Sequence, residues 1–401
     1  MTTPEAASFV VLGGGPAGTT VATFLARAGR DVLVVDQEST PQPVVGESLL
    51  PFGQRVISAL GVSMDGFMVK RGAVFTRGER SLRFPFEDAV RDTWSHAYQV
   101  PRAEFDARLR TVAQEAGVRF TWAKADRVDL PEAAGEPVVL QTDQGPIRAG
   151  FFIDAAGRRK FLARQLGIRE LHPVLRNAAL ATHYTGVRTL PPEVEGDIVI
   201  ATFEGGWFWL IPFADGRTSV GLVMTPSCGL KGDRWAQALA LCPQAAARLE
   251  GATCLAPLRG LQDFTAYAKR FHGPGWALAG DAAMFLDPVF SSGVLLCLES
   301  GERLARALLA GGDADPTLLD AWEAHLRASV KPMEQAILAF YDGSFLDVAY
   351  APREMQAERY RRGIISLLAG DLFEPGNPMP FRVAARFGTL ADIVNRRPVA
   401  G

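Results

Sequence analysis

The chain has 401 residues, of which 48% are hydrophobic and 21% charged, enough for two or three domains with a substantial core. A formal net charge of -2, without any long block of like charge, argues against a nucleic-acid or anionic-membrane partner. The four cysteines show no CxxC spacing and the histidines do not cluster, so no metal site is indicated and a reducing compartment is expected. The first residues, "MTTPEAASFVVLGGG", lack a basic leader with a cleavage site, and no apolar run approaches a membrane span. The expectation is a cytoplasmic protein.

In chain order, "SFVVL" (8–12) is an apolar β-branched run that predicts a strand. "GGGPAG" (13–18) follows, and then "TTVATFLARAG", with Val21, Phe24, Leu25 and Ala28 at helical spacing and Gly29 as a stop. "DVLVVD" (31–36) predicts a second buried strand, so the chain opens as strand, glycine loop, helix, strand. "DIVIATFE" (197–204), "GWFWLIPF" (206–213) and "RTSVGLVMT" (217–225) read as an antiparallel meander with a turn at "ADGR". Period-two alternation places Trp207 and Trp209 on one face of their strand. The first style returns at "GWALAGDAAMFLDP" (275–288), and from about residue 293 the pattern is mainly helical until Pro375, Pro378 and Pro380 interrupt it. The predicted class is α/β. A discontinuous Rossmann-like cofactor domain covers 1–65, 97–165 and 270–330. An inserted antiparallel-sheet substrate domain covers 66–96 and 166–269, and a C-terminal helical cap covers 331–401.

Gly13, Gly15 and Gly18 form G-x-G-x-x-G between a strand and a helix. Gly13 permits a tight turn, Gly15 lets a pyrophosphate approach the backbone, and Gly18 allows close helix–sheet packing. Asp36 ends the second strand, where an acid can bind ribose hydroxyls. Three further stretches resemble flavoprotein patterns. "YQVPRAEFDARL" (98–109) is similar to the segment in which an Arg reaches the flavin, here Arg102. "FFIDAAGRRK" (151–160) is similar to the strand and turn on the adenosine side, and "ALAGDAAMFLDP" (277–288) to the segment whose Asp binds the ribityl chain, here Asp281. The expected cofactor is FAD, bound by Gly13, Gly15, Ala17, Gly18, Asp36, Arg102 and Asp281.

"VVGESLLPFGQ" (44–54), "FMVKRGAVF" (67–75), "GWFWLIP" (206–212), "LDPVFSSGV" (286–294) and "LLAGDLF" (367–373) together resemble the flavin-dependent halogenases over nearly the whole chain. Serines after "DPVF", instead of a Glu, resemble the phenol and pyrrole branch, although Leu295 stands where many of its members carry His. The resemblance implies that reduced FAD and O₂ form a C4a-hydroperoxide, that halide attacks it, and that the resulting hypohalous acid is held by a lysine, here Lys70. Ser291, Ser292 and Gly293 correspond to the halide site. Ser292 also suits a plain helix N-cap. Trp207 and Trp209 correspond to the wall between flavin and substrate, and they equally suit core packing. Only one dinucleotide loop is evident, so a separate flavin reductase is expected to supply reduced FAD. The other expected partners are O₂, halide and an electron-rich aromatic ring, free or on a carrier protein. A flavin monooxygenase hydroxylating a ring, even a peptide- or protein-bound one, is the alternative. A non-catalytic binding protein on the same scaffold is a third.

Overall fold

The computed structural model describes residues 5–131, 136–262, 265–352 and 357–396. The extreme N-terminal residues 1–4, part of the leader reading, lie outside these, as do the last residues of the helical cap, 397–401. The strand Glu5–Leu12 runs into the helix Pro16–Arg27, which begins at Gly15 and stops at Ala28, with Gly29 left-handed just beyond. The strand Val32–Asp36 then pairs in parallel with the first. Its residues Val32–Val35 are buried, as expected of a sheet covered on both faces.

The parallel sheet runs Arg119–Trp122, Val32–Asp36, Glu5–Leu12, Gly145–Asp154, Trp276–Leu278. Chain order reverses between Glu5–Leu12 and Gly145–Asp154, so a crevice opens beyond the ends of those two strands. Close packing there needs glycine. A Cβ on Gly13 would lie 2.4 Å from Ala155 O, and one on Gly18 would lie 1.9 Å from Gly13 O. The helix Gly293–Ala307 packs along Pro16–Arg27 and approaches the same crevice with its N-terminus.

The second large sheet contains the meander Ile198–Phe203, Gly206–Pro212, Arg217–Met224, flanked by Ala178–Thr185 on one side and by Gly72–Arg77 and Arg80–Pro85 on the other. It is buried on both faces. Trp207, Trp209 and Ile211 point into the main core. Phe208 and Leu210 point the other way, where Phe208 meets Trp235 edge-on at 5.4 Å. That two-sided burial explains why "GWFWLIPF" has no polar alternation. Met68–Lys70 and Ala97–Gln99 form a separate two-stranded ribbon. C-terminal helices, led by Pro316–Tyr341, close the core with Phe340 and Phe345 against Phe75 and Phe290. Among the described residues, no helix is long and apolar enough to cross a membrane.

Trp209 stands directly across from Gly221, and a Cβ on Gly221 would lie 2.0 Å from its ring. Gly221→Ala must therefore displace the indole and overpack the core, lowering stability by about 1–3 kcal/mol. Urea unfolding checks this through a lower midpoint at unchanged slope, and an unshifted midpoint would refute it.

Candidate active site

Seven of the residues singled out in the sequence, Gly13, Gly15, Ala17, Asp36, Arg102, Asp281 and Gly293, line one open groove at the crevice. Gly18 sits behind it, against Gly13 O. A Cβ on Gly15 would meet nothing within 4 Å, so the groove leaves room at the helix start. That helix has no side-chain cap and no acid in its first turn, as an anion-binding N-terminus requires.

Asp36 braces the glycine loop. Its carboxylate accepts from Gly14 N at 2.6 Å and Glu38 N at 3.0 Å, and pairs with Arg110 at 3.1 Å. Arg110, which also lines the groove, was not singled out in the sequence. Its signal was there, since Arg102, Asp106 and Arg110 recur every four residues on one helix face. Arg102 is held by Asp106 through two hydrogen bonds of 2.9 and 3.0 Å and donates to Val45 O at 3.2 Å. Burial pushes the Asp281 carboxyl upward, against the pull of Lys160, Arg158 and Arg102.

Lys70 does not line the groove. It is 1% exposed, and its Nζ donates to Ser48 Oγ and Leu49 O, each at 2.9 Å. The Phe86 ring centre lies 5.3 Å away. Burial lowers the amine pKa to about 7, while Asp197 opposes the shift. Asp197 makes no ion pair with Lys70. Its carboxylate accepts from Arg71 N at 2.9 Å and pairs with Arg83 at 2.7 Å. Val45 and Gly46 line the groove, so only a few residues of chain separate its wall from Ser48 and Leu49. The neighbouring Glu47 reaches His183 Nε2 at 2.8 Å, a partnership the sequence did not announce.

Ser291 adopts the left-handed region at φ 57°, and Gly293 begins the helix at the groove edge. Ser292 occupies the N-cap position but its hydroxyl caps nothing. It is 1% exposed and its Oγ has no hydrogen-bond partner. Just upstream, Asp287 is a buried hub that accepts from Asn177 at 2.8 Å, Val289 N at 3.1 Å and Tyr341 at 2.9 Å. Tyr341 in turn accepts the Trp207 indole N–H at 3.0 Å. Burial raises the Asp287 carboxyl to about 6. Trp209 donates to Ser219 Oγ at 3.1 Å, and the two indoles lie 6.0 Å apart. Neither tryptophan lines the groove, and both are core side chains. Among the described residues, no group of His, Cys, Asp or Glu could hold a metal ion.

A family model described as tryptophan halogenase matches residues 8–83 and 77–350. The chain is 33% identical over 340 residues to a tryptophan 2-halogenase of Chondromyces crocatus. That alignment covers 78% of this chain and spans only 63% of the relative's length. It is 30% identical over 315 residues to a 1H-pyrrole-2-carbonyl-[peptidyl-carrier protein] brominase of Pseudoalteromonas luteoviolacea, covering 75% of this chain and 76% of the relative. A crystal structure of a flavoprotein/dehydrogenase from Cytophaga hutchinsonii superposes with a TM-score of 0.86 at 29% identity, covering 98% of this chain and 99% of the other.

The Lys70 amine carries a pH signature. Its folded value of about 7 lies below the free-lysine value of 10.5. Between the two, the unfolded chain holds a proton that the folded chain has released, so this group's contribution to stability rises with pH from about 7 and is flat below it. Lys70→Met lacks the titrating group. Wild-type stability should therefore gain on the variant by roughly 2 kcal/mol between about pH 7 and about pH 9. Parallel stability curves for the two proteins in urea unfolding would show that Lys70 is not an interior amine.

Proposed function

The chain belongs to the tryptophan halogenase family of flavin-dependent enzymes, and on that premise we propose that it halogenates an electron-rich ring of the pyrrole or phenol type, presented on a carrier protein. The carrier-bound substrate named for the Pseudoalteromonas relative supports the tether, and its naming as a brominase supports halogen transfer over hydroxylation. The groove fits FAD, with an uncapped helix N-terminus, room at Gly15, and arginines beside it. Bound in reduced form, which a separate reductase supplies, the flavin provides the two electrons with which O₂ and halide yield hypohalous acid, water and oxidised FAD.

The chain's own residues do the rest. Ser292 does not line the groove, but its buried and unpartnered hydroxyl stands directly before groove-lining Gly293 at the start of a helix and is the donor we assign to halide. The observation that carries the reading is the state of Lys70. A neutral amine has two N–H groups, and Ser48 Oγ and Leu49 O accept both, which leaves the nitrogen lone pair free in a dry interior. That lone pair takes the halogen of hypohalous acid with release of water. The aromatic ring then takes the halogen from nitrogen, and the ring proton returns to Nζ. A group with a pKa of about 7 can serve in both states near neutral pH.

The test supplies flavin reductase, NADH, O₂, bromide or chloride, and a carrier-bound pyrrole or phenol. The expected product bears the isotope pattern of the halide supplied. Lys70→Ala should still bind FAD and consume reduced flavin, while halogenated product falls below detection. Product formed by the variant at the wild-type rate would remove Lys70 from the mechanism, and hydroxylated product alone at saturating halide would replace halogenation.

Ser292→Ala removes one donor from the halide. The halide KM should rise about tenfold with FAD affinity unchanged. An unaltered halide KM would place the anion elsewhere.

A further inference from the structure

One guanidinium in the groove is unspent. Arg102 is committed to Asp106 and Val45 O, Arg110 to Asp36 and Gly14 O, and Arg159 to Gln37. Arg158 also lines the groove, yet among the described residues it makes no hydrogen bond and no ion pair. Burial disfavours its charge, Asp281 favours it, and Arg102 opposes it. A half-buried cation in this position is short of an anion.

The turn that carries Arg158 lies against the phosphate cradle. Ala155 O would be 2.4 Å from a Cβ on Gly13, and Ala155 N donates to Leu12 O. On the other side, a Cβ on Gly280 would touch Ala17 at 2.7 Å, which brings Asp281 to the first turn of the same helix. Arg158 and Asp281 thus flank the uncapped N-terminus of Pro16–Arg27. The turn is held in place. Asp154 accepts from Ala156 N at 2.9 Å and Leu162 N at 2.8 Å. Lys160 takes a left-handed conformation at φ 48° and donates from Nζ to Asp281 O. A non-glycine residue held there signals a backbone whose shape is over-determined by its surroundings. The guanidinium is therefore presented from a fixed base, and little ordering cost remains when an anion arrives.

We propose that Arg158 is the cation that grips the pyrophosphate of FAD, and that it sets the chain's preference for the dinucleotide over a flavin lacking phosphate. A guanidinium matches two phosphate oxygens with parallel N–H groups, and the helix N-terminus supplies backbone N–H groups to the same anion. Asp281, across the helix start, is left to accept hydroxyls. The inference rests on the reading that FAD occupies this groove.

The experiment measures dissociation constants of the full-length, flavin-free protein for FAD and for riboflavin by fluorescence quenching, in wild type, Arg158→Ala and Arg158→Lys. Arg158→Ala should weaken FAD about 10- to 100-fold and leave riboflavin at its wild-type value. Arg158→Lys should recover part of the loss, because it keeps the charge and loses the planar fork. FAD binding by Arg158→Ala should also depend less steeply on salt than that of wild type. Unchanged FAD affinity overturns the proposal, including the case in which Arg158 serves halide instead. An equal loss of riboflavin overturns it in favour of a ring contact or a damaged fold. If riboflavin binds too weakly to compare, the salt dependence decides, and a weakened variant with an unaltered salt slope counts against it. Wild type that binds no FAD would instead dismiss the cofactor reading itself.

Discussion

Burying the Lys70 amine is the constraint to which the rest of the site answers. An ammonium group taken out of water without a partner is too costly to keep, so the group sheds its proton or acquires a carboxylate. Here the nearest influential carboxylate, Asp197, is already occupied by Arg83 and by Arg71 N–H. Lys70 is left with two neutral acceptors and an aromatic ring. Were Asp197 free to pair with it, the lysine would be locked as a cation and its lone pair lost. Pairing Asp197 elsewhere keeps the amine near its neutral state while a residual pull prevents the pKa from falling further.

The two tryptophans belong to the same economy of buried polar groups. Trp209 covers the bare backbone of Gly221, and Trp207 passes its N–H to Tyr341, which donates to Asp287. Among the described residues Asp287 has no cation beside it and is held by three neutral donors, from Asn177, Val289 N and Tyr341. It also starts the short turn Pro288–Phe290 that delivers Ser291 in its left-handed conformation. The indole in the middle of a strand therefore helps fix a turn at the groove edge, and removing it would leave Tyr341 with an unmet acceptor inside the core.

The elements that carry the fold were legible because their signals are local. The glycine loop, the alternation that puts Trp207 and Trp209 on one face, and the meander are each contained within a few residues; the meander strands fall within a residue of the expected bounds, whereas the first strand begins three residues earlier than its apolar run, at Glu5. The groove residues were legible through motif resemblance, and the structure brings them together. What sequence could not disclose is convergence. Asn177, Asp287, Tyr341 and Trp207 meet across separations of 54 to 134 residues, and no periodicity connects them. Arg158 sat inside a quoted motif and still went unnoticed, because its importance lies in having no partner, which only three-dimensional accounting reveals. The buried depth of Lys70 was likewise invisible, since nothing in "FMVKRG" distinguishes an interior lysine from a surface one.

A net charge of -2 conceals how charge is apportioned. The groove is lined by Arg102, Arg110, Arg158 and Arg159, with Lys160 just behind, and by Asp36, Glu38, Asp106 and Asp281. The interior around Trp207, Phe75 and Phe340 is aromatic, with Asp287 as its neutralisable acid. Most of these charges pair with one another, and an anionic cofactor would meet the remaining guanidinium beside an uncapped helix N-terminus, a local arrangement that the net charge does not report. Lys70 does not line that groove, and its partners are the neutral Ser48 Oγ and Leu49 O. Arginines packed against this buried amine would push its pKa lower still and compete for the acceptors that orient it. Placing the anion-binding charge in the Rossmann crevice and the amine on a separate ribbon lets both requirements be met in one chain.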